Sequence, residues 1–171
     1  MEKRYKQDGI IPLSKERFAS FSYNNTIKIW KDDNTYECIT TVEHNDVVFS
    51  MVQLRCKEVL LSSNEESNNK ELTFWNLNNY NKIHTMEGHD PYILPHMKEI
   101  SDSIIALVKQ KDSCYYIAII DTSSYQEKTI IYEDIYITNY SSLCVLNEYS
   151  FVFASNGNFV QIFKWRLFNH V

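Results

Sequence analysis

A chain of 171 residues has room for one well-buried domain, or for several small repeating units that share a core, and is short for two independent domains. Apolar residues make up 44% of it and aromatic residues 14%, with Gly and Pro at three each, a globular and strand-leaning composition that excludes a disordered chain. The formal charge is -5 and Lys and Arg are scattered singly, so nucleic-acid binding is not expected. No stretch approaches the roughly 20 apolar residues that span a bilayer, and "MEKRYKQDG" lacks the apolar run of a signal peptide. These features predict a soluble protein, cytoplasmic or else nuclear, with no membrane partner.

In chain order, runs with a period of two are bounded by Asn, Asp, Ser and Lys-Glu turns, the pattern of short antiparallel strands. The first group spans roughly 10–13, 17–22, 26–31 and 38–43, and the second about 47–54, 59–64, 70–76 and 82–87. The third spans about 92–100, 104–110, 114–121 and 127–133, and the fourth about 138–146, 150–155 and 158–165. Each group has four strands except the last, which is one short.

The groups repeat. "KERFASFS" (Lys15 to Ser22) matches "KEVLLSSN" (Lys57 to Asn64), and "TIKIWK" (Thr26 to Lys31) matches "ELTFWN" (Glu71 to Asn76), which puts Trp30 and Trp75 45 residues apart. "EHND" (Glu43 to Asp46) is echoed by "GHDP" (Gly88 to Pro91), with His44 and His89 at the same interval of 45. The interval carries Trp75 to Ile120 and His89 to Asp134, and a more degenerate copy in "EYSFVFASNGNFVQIFKW" has Phe163 in the tryptophan's place. A His, a Lys-Glu pair and a Trp in common register mark a true repeat.

A four-stranded sheet recurring every 40 to 45 residues is the unit of a β-propeller. The repeats resemble those of the WD-repeat β-propeller family, with a Gly-His-type turn, a strand ending in Ser and a strand ending in Trp. The expected fold is therefore all-β: a partial propeller of about four blades, over roughly 7–43, 44–87, 88–133 and 134–171, the last one incomplete.

The resemblance implies a hydrogen-bonded tetrad within each blade, made by a turn His, a strand Ser or Thr, a tight-turn Asp and a strand Trp. The matching positions are His44, Ser62 and Trp75 in the second unit, where the longer turn "NEESNNK" leaves the Asp role unassigned. The first unit matches Ser20 and Trp30 with Asn24 in the Asp position, and no histidine precedes it. The third keeps His89 but has Leu107 and Ile120 at the Ser and Trp positions; the fourth has Asp134 and Phe163. Whatever the family, a buried indole N–H and a buried imidazole need partners, and a Ser hydroxyl that both donates and accepts can link them.

The residues argue against chemistry. No His has a Cys, His or carboxylate at ligand spacing, the four Cys lack CxxC pairing and are expected as reduced, packed thiols, and Gly-x-Ser-x-Gly and clustered glycines are missing. No catalytic, metal or cofactor-binding residue is therefore expected, and no cofactor.

Members of the family resembled here act mostly as platforms for protein-protein interaction through the loops at the propeller's ends. The equivalent loops carry Asp46, Asp90, Asp134, Glu65 and Glu66, with Tyr92 and Tyr136 beside them and Lys109 and Lys111 as local exceptions. That face is expected to be acidic and to suit a protein partner with a basic segment. The alternatives are an enzyme or small-ligand binder using the central channel, or a structural subunit of a larger assembly. Family propellers close with seven or eight blades, about 300 residues or more at this period. The expectations are thus a piece of a larger propeller, a ring completed by a second copy or another chain, or an open array, with the first preferred.

Overall fold

Fifteen strands, arranged in four antiparallel sheets, make up the described part of the computed structural model, which covers residues 9–22, 24–55, 57–64, 71–86, 93–111, 114–130, 142–147, 150–154 and 160–164. The first sheet contains β1 (Gly9–Leu13), β2 (Arg17–Ser22), β3 (Thr26–Lys31) and β4 (Cys38–Glu43). The second contains β5 (Val48–Leu54), β6 (Val59–Asn64), β7 (Leu72–Asn76) and β8 (Lys82–Met86). The third contains β9 (Ile93–Ser101), β10 (Ile104–Lys111), β11 (Cys114–Asp121) and β12 (Gln126–Ile130). The fourth, with three strands among the described residues, contains β13 (Ser142–Asn147), β14 (Ser150–Ala154) and β15 (Val160–Lys164). In every sheet the spatial order of strands follows the chain order, so each is a meander of hairpins. The observed architecture is all-β and a partial β-propeller, each sheet one blade.

The chain divides into two compact units, Met1–His89 and Asp90–Val171. In the first, the alternation of "RFASFS" decides which way each residue faces. Arg17, Ala19 and Phe21 are buried, and Phe18, Ser20 and Ser22 are half-exposed. Ile27 and Ile29 continue the buried face on β3. This face packs against Val48, Met51, Leu60, Trp75 and Leu77 of the second blade, forming one core. Fully burying an aliphatic side chain of this size stabilises by about 1.5–3 kcal/mol, so the seam between blades adds to what the ladders of each sheet contribute. β7, "LTFWN", is buried on both faces through Leu72, Thr73, Phe74 and Trp75, as a strand covered on two sides must be.

A polar cluster closes the same seam. Ser14 donates its backbone N–H to Gln53 Oε1 at 2.8 Å and its hydroxyl to Glu58 Oε1 at 2.8 Å, while Gln53 Nε2 donates to Ser14 Oγ at 2.9 Å. Arg17, 8% exposed, donates to Glu58 Oε2 at 2.7 Å and to the Leu77 carbonyl at 2.7 Å. Burial pushes the Glu58 carboxyl upward, but hydrogen bonds from Ser14 and Arg17 and the charges of Lys15 and Arg17 more than offset it and hold the group below its ordinary value. Gly9 lies opposite Phe21 in the ladder, and a Cβ there would come within 2.4 Å of the Phe21 ring, so only glycine leaves the ring its place.

In the second unit, β10 and β11 form the centre. Ile105, Ala106, Leu107 and Val108 are buried, as are Ile117, Ala118, Ile119 and Ile120. β13 packs beside β9, and the ladder between β9 and β10 shifts register twice. The expectation of packed thiols does not hold for Cys38 and Cys144, which are free and exposed, Cys38 because it opens the outermost strand of its blade. Among the described residues no helix is long and apolar enough to cross a membrane.

Candidate functional site

The turn between β4 and β5 places His44 over the middle of the second blade. Its backbone N–H donates to the Asn25 carbonyl at 2.8 Å, which ties the turn to the first blade. The ladder pairs Ser62 with Thr73 and Leu60 with Trp75, so Ser62 and Trp75 stand diagonally on one face of neighbouring strands. Trp75 Nε1 donates to Ser62 Oγ at 2.8 Å, and Ser62 Oγ lies 3.0 Å from His44 Nε2. The His44 and Trp75 rings are tilted at 52° with centroids 5.8 Å apart.

The chain of bonds is sealed from water, with Ser62 at 0%, His44 at 6% and Trp75 at 7% exposure. Burial lowers the His44 pKa below its ordinary value, and the opposing pull of the Asp46 backbone and charge does not offset it. Ser62 Oγ accepts the indole N–H and shares a second bond with His44 Nε2, whose direction is set by the imidazole tautomer, while the Thr73 carbonyl 3.5 Å away also faces the hydroxyl, so all three polar groups are linked through a single hydroxyl.

The first blade repeats the pair without the histidine. Ser20 lies opposite Lys28 and Phe18 opposite Trp30, the same diagonal as in the second blade. Trp30 Nε1 donates to Ser20 Oγ at 2.9 Å. Phe18 stacks on the indole with centroids 6.0 Å apart and planes 8° apart, and Lys28 Nζ lies 5.8 Å over the ring. All four side chains are half-exposed. Asn24 stands apart from the pair: its Oδ1 accepts from the Thr26 backbone N–H at 3.3 Å and from the Thr26 hydroxyl at 2.8 Å, closing the turn in which Asn25 adopts a φ of 59°.

Asp46 is not a solvated loop acid. It is half-buried, its Oδ1 accepts the Val47 N–H at 2.7 Å, and its Oδ2 is buried with no partner among the described residues. His89, Glu65, Glu66, Asp90, Tyr92, Asp134 and Tyr136 lie outside the described residues. Lys109, read from the sequence as a charge on the loop face, is 1% exposed on β10 and ion-paired with Glu127. Burial lowers its pKa against the raising effect of Glu127. An alternating strand with a lysine near its end gives no sign of which strand lies beyond it, and that neighbour decides the lysine's fate. Leu107 and Ile120, at the Ser and Trp places of the third blade, are both 0% exposed, an apolar pair where the second blade has a polar one.

Sequence reasoning also missed the Arg17–Glu58 pair across the blade seam. Its only sign was the Lys-Glu turn shared by "KERFASFS" and "KEVLLSSN", which puts a carboxylate at each hairpin corner. Among the described residues no three His, Cys, Asp or Glu side chains converge as metal ligands would.

The fold resembles that of solved WD40 propellers. The chain resembles the WD40 β-propeller domain of Doa1, with a TM-score of 0.69 and 21% identity, over 94% of this chain and 51% of that one. It resembles the RRP9 WD40 repeats with a TM-score of 0.70 and 16% identity, over 87% of this chain and 42% of that one. The computationally designed Ika4 protein is similar too, at a TM-score of 0.67 and 16% identity, over 90% of this chain and 88% of that one. No family model matches the sequence, and no curated protein matches it. The fold is thus the WD-repeat β-propeller in partial form, and the chain spans about half the length of the WD40 propellers it matches.

Proposed function

We propose that this protein is a non-catalytic, cytoplasmic protein-protein interaction scaffold of WD-repeat type that supplies half of a larger propeller, blade by blade over about 7–43, 44–87, 88–133 and 134–171. The observation that carries this reading is where the polar side chains go. His44, Ser62 and Trp75, and Ser20 with Trp30, spend their hydrogen bonds on one another within a sheet. Arg17 and Glu58 spend theirs across the seam. They are structural in this reading, and they give the loops at the sheet ends a rigid base.

The binding surface is then the loop face. Asp46 is engaged within the fold, so the charge that attracts a partner comes from Glu65, Glu66, Asp90 and Asp134, with Tyr92 and Tyr136 as aromatic contacts. The partner is a protein segment rich in Lys and Arg. Fluorescence anisotropy with labelled Lys/Arg-rich peptides and their Asp/Glu-rich counterparts tests this. Basic peptides are expected to bind and acidic ones not, and the combined Glu65→Lys, Glu66→Lys, Asp90→Lys and Asp134→Lys variant is expected to lose the binding. Basic-peptide binding that survives this variant, or no binding by the parent chain, would overturn the loop-face assignment.

A further inference from the structure

One corner of the second blade holds an arginine. Arg17 of the first blade donates to Glu58 Oε2 at 2.7 Å and to the Leu77 carbonyl at 2.7 Å, and its Nη1 lies 3.5 Å from the Tyr80 hydroxyl. Three positions thus receive one guanidinium: an acid in the turn between β5 and β6, a backbone carbonyl just after β7, and a tyrosine in the turn between β7 and β8. Such a set suits arginine, whose donors diverge in a fixed planar fork.

The first blade builds the same corner. The Asp32 N–H donates to the Glu16 carbonyl at 2.7 Å, as the Leu77 N–H donates to the Glu58 carbonyl at 2.8 Å, so Glu16 holds the place of Glu58 and Asp32 that of Leu77. The Lys31 N–H donates to the Glu37 carbonyl as the Asn76 N–H donates to the Asn81 carbonyl, and the residue before each acceptor is a tyrosine in the left-handed region, Tyr36 with a φ of 48° and Tyr80 with a φ of 61°. Here the corner is open. Glu16 and Asp32 are exposed, Tyr36 is 61% exposed, and no cation pairs with either carboxylate among the described residues. The flanking lysines are engaged elsewhere, Lys15 with Glu58 and Lys31 with Glu37. The Asp33 carboxylate accepts the Thr35 and Tyr36 N–H groups at 2.8 Å and 3.2 Å, which fixes the turn that carries the tyrosine.

We propose that this corner, Glu16 with the Asp32 carbonyl and Tyr36, binds an arginine side chain presented by a protein partner. The occupant follows from the paired copy, where the same three positions receive Arg17. Asp32 stands where the second blade has Leu77 and adds a carboxylate beside the carbonyl, so the open corner is the more acidic of the two. In a meander the β1–β2 and β3–β4 turns share one end of the sheet, and the β4–β5 connection that carries Asp46 leaves from the other. The corner is therefore a second contact surface, separate from the loop face proposed above.

An amide-resolved nuclear magnetic resonance titration tests this with three capped peptides, Ser-Gly-Gly-Arg, Ser-Gly-Gly-Lys and Ser-Gly-Gly-citrulline. The first copies the spacing of Ser14 and Arg17, which both reach Glu58. It is expected to shift the amides of Glu16, Asp32 and Tyr36 saturably, with the roughly millimolar dissociation constant of an exposed ion pair. The lysine peptide is expected to bind more weakly, and the uncharged citrulline peptide not to bind. Glu16→Gln is expected to weaken the arginine peptide about fivefold and Tyr36→Phe about twofold, with the remaining amide spectrum unchanged, which shows that the fold is intact. No saturable shift at these amides, an equal response to the citrulline peptide, or binding untouched by Glu16→Gln would each overturn the proposal. The combined loop-face variant described above is expected to keep arginine binding at this corner, so failure of the loop-face reading and failure of this one are separable.

Discussion

The first and second blades carry the same Ser–Trp pair on the same diagonal, yet one is a sealed chain of three and the other an open pair. In the second blade Ser62 and Trp75 are joined by His44 and covered by the first blade's apolar face. In the first, Ser20 and Trp30 have no histidine, and Phe18 and Lys28 take the places where the second blade has Leu60 and Thr73. The local hydrogen bond is nearly the same length, 2.9 Å against 2.8 Å. What differs is the access of water, and access decides how much a hydrogen bond and an indole contribute to stability. A repeat motif therefore specifies geometry, while its energetic weight is set by whichever sheet lies against it.

The strongest way to break this comparison is to delete the two rings. Trp75→Ala removes a sealed indole and is expected to cost about 3–5 kcal/mol, a large share of a domain's stability. Trp30→Ala is expected to cost about 1–2 kcal/mol because only part of that ring leaves water on folding. Urea denaturation followed by circular dichroism measures both, and equal losses would mean that the two faces are equally covered.

A smaller contrast isolates the hydroxyls. Ser62→Ala leaves the Trp75 N–H and His44 Nε2 without their shared partner in a dry site, an expected loss of about 1–3 kcal/mol. Ser20→Ala, where water can reach the Trp30 N–H, is expected to cost about 0.5 kcal/mol. The same denaturation experiment reads the difference.

The smallest expected effect sharpens the comparison through pH. His44 has a folded pKa below its unfolded value of about 6.5, so as pH falls the unfolded chain takes up the proton first. Stability contributed at this residue is flat above about pH 6.5, falls as pH drops below it, and levels off once the folded group protonates as well. Denaturation midpoints between neutral and mildly acidic pH are expected to fall with the parent chain and to fall less with His44→Gln. A slope unchanged by His44→Gln would show that His44 is not the group titrating.

Much of the fold was legible because strand signals are local. The run "RFASFS" alternates, and β2 occupies Arg17–Ser22 as the alternation requires. The Trp-to-Trp interval of 45 residues places β3 and β7 at the same point of two sheets. The side chains at the site were legible only in part. Ser62 and Trp75 could be paired from spacing, but Lys109 was misread, because its partner Glu127 comes from a strand two places away in the sheet. Asp46 was read as a surface charge, yet its carboxylate folds back onto the Val47 N–H.

Period-two patterning and a repeat of about 45 residues, by themselves, determined an all-β chain of successive four-stranded meanders, because backbone pairing and side-chain alternation are properties of short segments. Only the tertiary structure decided which copy of the motif became a dry chain of three side chains and which stayed open to water. It also decided that Arg17 and Glu58 would meet across a seam and that Lys109 would be buried. Each of these depends on what lies on the far side of a sheet, and burial, desolvation and ion pairing are set by that neighbour and not by the strand that carries the residue.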